Sequence, residues 1–178
     1  MMRKNNPMKE WNKRDIWNLL ADNAKTLPRF PDGRIDYTYA PMVPVVTCFI
    51  KYKGRVLLMR RSDKVHYYRG KWNTVAGHLD EVKMPDEKAL DEVKEETGIT
   101  KRNIRAVKRA TPFFLSDKRI GKKWLIFPLV AELHKKPKVR LNGEHTEYRW
   151  IKPGELKRFN HVERLDKSLK RILNETSR

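Results

Sequence analysis

Apolar residues change their spacing several times along this chain, and each change marks an element. In MKEWNKRDIWNLLADNA, residues 8 to 24, Trp11, Ile16, Trp17, Leu20, Ala21 and Ala24 recur at intervals that share one helical face, with charges over much of the rest. This pattern predicts an amphipathic helix. TLPRFPDGRIDYTYAPM then breaks the period with three prolines and an Asp-Gly turn, a connector that sets a boundary near residue 40. From Val43 the period shortens: VPVVTCFIKY, a Lys53-Gly54 turn and RVLLMRR read as a β-hairpin. SDKVHYYRGK is a polar loop, and WNTVAG is a short strand ending at Gly77. Pro85 suits a first helical turn and Gly98 the residue after a last one, so a helix is expected over 85 to 97. IRAVKRATPFFL and KKWLIFPLVAEL flank SDKRIG as a second, longer hairpin, and EYRWI is a further strand. Pro153 and Gly154 lead into a final helix over about 161 to 174. Strands, helix, strands, helix is the order of an α+β sandwich with a mixed or antiparallel sheet between helices. The expected organisation is an N-terminal helix and connector over residues 1 to 40, then one domain over 41 to 178.

The 85 to 97 helix carries an anomaly. At about 100° per residue with Glu92 at zero, Glu96 lies near about +40° and Glu95 near about −60°, whereas Ala89, Val93, Thr97 and Leu90 fall between about +60° and +160°. One face is apolar and the other acidic. Like charges at i,i+4 oppose a helix by roughly 0.2 to 0.5 kcal/mol per pair, and anions in the last turn oppose its dipole. A solvated Glu/Lys face accounts for such a pattern, with Lys88 and Lys94 as partial relief. A divalent cation removes the repulsion outright. Mg²⁺ in particular takes a few carboxylate oxygens, keeps several waters and bridges to phosphates.

Composition sharpens the contrast. The 178 residues contain 41 Lys+Arg against 22 Asp+Glu, a net charge of +19, so acids are scarce where three of them cluster. This excess implies anionic partners such as phosphorylated metabolites, nucleic acid or a membrane surface, or else a surface rich in Lys and Arg. A 39% hydrophobic fraction with five Trp suits one buried core, in which Trp72, Trp124 and Trp150 are placed. Cys48 is the sole cysteine, which excludes an intrachain disulfide framework or cysteine metal site. The N-terminal residues lack an apolar run of signal-peptide length, and no segment has the roughly 18 apolar residues of a membrane span. A soluble, cytoplasmic protein is expected.

Residues 77 to 99, GHLDEVKMPDEKALDEVKEETGI, resemble the Nudix box: Gly, five residues, Glu, seven residues, then Arg-Glu-aliphatic-any-Glu-Glu-any-Gly-aliphatic. Gly77, Glu92, Val93, Glu95, Glu96, Gly98 and Ile99 fall in register, and VLLMRR, GKW and EYRWIKPGEL resemble the usual surroundings. The resemblance covers roughly residues 43 to 160. It implies a Nudix-type α/β/α sandwich and hydrolysis of a diphosphate linkage in a nucleoside diphosphate derivative, with Mg²⁺ or Mn²⁺ held by Glu92, Glu95 and Glu96. A box glutamate, or Glu144 or Glu147 from a later loop, would be the general base. Two positions depart from the pattern: Lys83 stands where Glu is expected and Asp91 where Arg is expected, both signs inverted, which predicts a swapped ion pair.

Of the cations between the first hairpin and Gly77, Arg61 and Arg69 are the leading candidates for gripping phosphate oxygens. His78 is a candidate proton or phosphate contact, and Tyr67, Tyr68, Phe113 and Phe114 are candidates for stacking a base. The expected partner is a phosphorylated metabolite or nucleotide, an RNA 5′ end included, with a homodimer as one use of the N-terminal helix. Two other readings compete. The inverted box and basic charge would suit a non-hydrolytic nucleotide or RNA sensor. An isopentenyl diphosphate isomerase shares the fold but relies on a cysteine, and Cys48 lies in a strand distant from the GHLDE loop.

Overall fold

The computed structural model describes residues 12–176. Helix α1, Lys13–Thr26, starts where Asn12 accepts from the Arg14 and Asp15 amides at 2.8 and 3.1 Å, and Asp15 accepts from the Asn12 amide in return. That reciprocal cap satisfies orphan N–H groups of the first turn. Ile16 and Leu20 are buried, whereas Trp17, expected on the same face, is 49% exposed: α1 presents a narrow stripe to the core. Met8 and Trp11 of the expected helix lie outside the described residues.

Among the described residues, eight strands form one mixed sheet: β1 Val43–Tyr52, β2 Arg55–Arg61, β3 Trp72–Asn73, β4 Val75–His78, β5 Ile104–Arg109, β6 Phe113–Asp117, β7 Lys122–Leu133 and β8 His145–Ile151. β1 is the hub. It runs parallel to β7 from Val43↔Trp124 to Lys51↔Glu132, and its other edge is shared by β4 at Val45 to Cys48 and β2 at Lys51 and Tyr52. Alternation sends Val46, Cys48, Ile50, Leu57 and Met59 to a cluster with α1 and with α2, Pro85–Thr97. Phe49, Val56 and Leu58 face Leu165, Leu169 and Ile172 of α3, Leu165–Thr176. The result is the expected α+β sandwich, a mixed sheet between helices.

Three boundaries differ from the sequence pattern. WNTVAG is two strands, since buried Thr74 leaves the ladder and points its hydroxyl at the Cys48 and Leu57 carbonyls, 2.9 and 3.3 Å away. The segment IRAVKRATPFFL is likewise two strands, β5 and β6, each paired with β7. Pro128 of β7 falls where its partner changes from β6 to β5, so its missing N–H deprives neither. α3 begins at Leu165, later than expected, because the chain before it is bound to β3: Trp72 donates to Asn160 O and Val162 donates to Trp72 O, both at 2.9 Å.

Candidate functional site

Strand β4 delivers Gly77 and His78 to the rim of a cleft, and α2 lies across it. α2 starts at Pro85 and ends on Gly98, whose φ of 69° is a left-handed conformation that suits glycine. The apolar face is the expected one for Ala89, Val93 and Thr97, which are buried, while Leu90 at its edge is half-buried. The acidic face is less uniform. Glu95 is exposed, Glu92 is half-buried, and Glu96 is 2% exposed.

Glu92 packs directly on Gly77, where a Cβ would lie 2.6 Å from its Cγ and closer still to its carboxylate. Lys88, one turn earlier, is 7% exposed, and its ammonium is 3.0 Å from Glu92 Oε1 and 2.8 Å from Asp80 Oδ1. Burial works against that charge, but Asp80 and Glu92 outweigh it and hold the Lys88 pKa above its ordinary value. Burial likewise raises Glu92, opposed by Lys88. Glu96 accepts from the Ala76 amide at 3.2 Å through Oε1, while its buried Oε2 has no hydrogen-bond partner. Burial, then the Glu92 charge, push its pKa well above the usual carboxylate range, with Arg61 pulling the other way. His145 Nε2, also without a hydrogen-bond partner, is 3.8 Å from Glu96 Oε2, and burial lowers this imidazole to about 4.

The inverted pair is present: Lys83 Nζ is 3.3 Å from Asp91 Oδ2 and also 3.1 Å from Glu81. Among the described residues, no three carboxylate, imidazole or thiol groups converge to hold a metal ion, so Glu92, Glu95 and Glu96 do not meet at one point as the expected ligand set. The donors fit a hard ion held by few protein oxygens and completed by water and phosphate: carboxylates on one helix face, one with an orphaned buried oxygen.

The cleft measures about 640 Å³. Gly77, His78, Arg61, Glu92, Glu95 and Glu144 line it. Arg61 is anchored by a 3.0 Å bond from Nε to Tyr67 O, and burial lowers its pKa. Glu96, Glu147 and Arg69 lie apart from the lining: Glu96 is buried on the Ala76 amide, Glu147 pairs with Arg60 at 3.3 Å and Arg149 at 3.7 Å, and Arg69 donates to Val65 O. Tyr67 and Tyr68 face the cleft, and Trp124, expected as plain core, also forms its wall, stacked on His78 and edge-on to Tyr67 at 6.0 Å each. Phe113 is buried beneath Lys167 and Arg171, and Phe114 is 43% exposed under Lys123. Cys48 is closer than expected, paired with Val75 two residues from Gly77. What disqualifies it as a nucleophile is burial, which pushes its thiol up to about 12.

Asp80 and Asp117 escaped the sequence reading, and Lys88, expected only as partial relief of the acidic face, is buried against Asp80 and Glu92. Lys88 had a usable signal, since it precedes Glu92 by four positions on the acidic face. Asp117 had none. It is buried, accepts from Tyr68 Oη at 2.7 Å and takes three bonds from Arg119, one from its amide and two from its guanidinium, bracing the tyrosine wall.

The mouse protein named bis(5′-nucleosyl)-tetraphosphatase [asymmetrical] is 30% identical over 95 residues, which are 53% of this chain and 62% of that protein's length. The structure resembles the MutT protein from Methanosarcina mazei Go1, with a TM-score of 0.61 and 26% identity over 79% of this chain and 99% of that one. It also resembles a C. elegans Ap4A hydrolase in a binary complex, with a TM-score of 0.59 and 21% identity over 78% of this chain and 98% of that one. Residues 41–172, which hold both the sheet and the carboxylate helix, match the NUDIX domain, and the chain belongs to that family.

Proposed function

We propose that this protein hydrolyses a diphosphate linkage in a nucleoside polyphosphate with a Mg²⁺ or Mn²⁺ ion bound at α2. The observation that carries the reading is the acidic face of α2: Glu92 and Glu95 line a cleft with an aromatic wall, and the adjacent buried Glu96 has one oxygen without a hydrogen-bond partner. Glu95 and Glu96 would hold the ion, with Glu92 beside them. When bound, the ion supplies neutralisation of a phosphate oxygen and acidifies water near neutral pH.

The chain's own residues supply the rest. Arg61 holds a non-bridging oxygen by its planar fork. Glu144, which lines the cleft, would take the proton as water adds to phosphorus and the bridging P–O bond breaks. Tyr67, Trp124 and His78 offer faces to a nucleobase. The names of the mouse and C. elegans relatives favour dinucleoside polyphosphates among such substrates.

The test is phosphate and nucleotide release from dinucleoside polyphosphates, ADP-ribose, nucleoside triphosphates and 5′-triphosphate RNA, with Mg²⁺ or with chelator. Dinucleoside polyphosphates should turn over fastest, the rate should vanish in chelator, and Glu96→Gln should lower it by at least about 100-fold. Turnover that persists in chelator, or none on any substrate with Mg²⁺, refutes the reading.

A further inference from the structure

Lys88 is the feature of the cleft that the metal reading does not require. Acid-rich metal sites gain nothing from a lysine among their ligands, yet this one is buried and aimed into the cluster. Its ammonium lies 2.8 Å from Asp80, 3.0 Å from Glu92 and 3.8 Å from Glu81. Arg34 is a second cation on Asp80, at 3.3 Å, and Lys83 occupies Glu81 and Asp91. Glu92 Oε1 is therefore enclosed, with Gly77 against one side and the Lys88 ammonium on the other. Glu95 and Glu96 have no ion pair to a lysine or arginine among the described residues.

We propose that Lys88 is a resident counter-cation that withdraws Glu92 from the divalent ion and leaves Glu95 and Glu96 as its protein ligands. This rests on the reading that the cluster binds such an ion. Two electrostatic facts support it. A carboxylate oxygen already bonded to an ammonium has less charge to offer, and a divalent ion approaching it would meet the like charge of Lys88 out of bulk water, a repulsion exceeding about a tenfold change in affinity. Lys88 is thus a positioning residue: it holds Glu92 on Gly77 and subtracts one ligand from the box.

The experiment is a Mn²⁺ titration of the full chain, with free Mn²⁺ counted by electron paramagnetic resonance and no substrate present. In the wild type, Glu92→Gln should leave affinity within about threefold, whereas Glu96→Gln should weaken it by at least about tenfold. Lys88→Met should tighten binding by at least about tenfold, the gain should vanish in the Lys88→Met/Glu92→Gln double variant, and Lys88→Arg should behave as wild type. A tenfold loss in Glu92→Gln, or a Lys88→Met variant that binds no more tightly than wild type, overturns the proposal. If Lys88→Met does not fold, the Glu92→Gln comparison decides alone. Wild-type protein that binds no Mn²⁺ refutes the metal reading itself, which is a separate outcome.

Discussion

Gly77→Ala tests the packing on which the site depends. Gly77 is not among the glycines with positive φ, so its backbone accepts alanine without strain. The obstacle is Glu92: the new methyl would sit 2.6 Å from Cγ and nearer still to the carboxylate. Ordinary carbon contacts are about 3.5 to 4.0 Å, so the side chain must retreat by roughly 1 Å or more. Its 3.0 Å bond to Lys88 then opens beyond hydrogen-bond reach. Lys88 keeps Asp80 at 2.8 Å, so the full penalty of an unpaired buried charge is not incurred. Overpacking of this kind destabilises by about 1 to 3 kcal/mol, and we expect about 2 kcal/mol, or a fall in Tm of roughly 4 to 8 °C for a chain of this length. Urea unfolding of wild type, Gly77→Ala, Glu92→Ala and the double variant measures it directly. With Glu92 truncated, the alanine has nothing to strike, so its effect should drop below about 0.5 kcal/mol, a coupling of about 1.5 kcal/mol. Equal effects of Gly77→Ala in both backgrounds would refute the contact.

Two further outcomes follow from the ion pairs. Lys83 and Asp91 are joined at the surface, with side chains 40% and 56% exposed, so Lys83→Glu and Asp91→Arg should each destabilise by less than about 1 kcal/mol, and the double reversal should return to within about 0.5 kcal/mol of wild type by denaturant midpoint. Additive losses would show the pair to be idle. Asp117 is held below the usual carboxylate range by hydrogen bonds from Arg119 and then Tyr68, opposed by desolvation. A depressed carboxylate stabilises the fold above the unfolded pKa of about 3.9 and loses that contribution as pH falls through its folded value. The urea midpoint of the wild type should therefore fall more steeply below about pH 4 than that of Asp117→Asn, and identical slopes would exclude the linkage.

What the sequence determined by itself is local. Pro85 and Gly98 bounded α2 because a proline at the first turn and a left-handed glycine at the last act within a few residues. The separation of Ala89, Val93 and Thr97 from the glutamates followed from helical geometry alone, as did the alternation that splits β1 between two cores. Tertiary structure decided everything that depends on register between distant segments. Glu144 and Glu147 look equivalent in the chain, but pairing of β8 with β2 sets Glu147 opposite Arg60 and leaves Glu144 in the turn that faces the cleft. Cys48 is far from the GHLDE loop along the chain, and the β1 and β4 register sets it beside Val75. Trp124 is core, as composition suggests, and the pairing of β7 with β1 also brings it to the cleft wall. The three box glutamates look alike on a helical wheel, and only their surroundings separate them: Gly77 and Lys88 around Glu92, a buried pocket around Glu96, solvent around Glu95. Periodicity encodes which way a side chain points from its own backbone. The charge it meets there is set by strands and loops far away in sequence, and no local pattern records them.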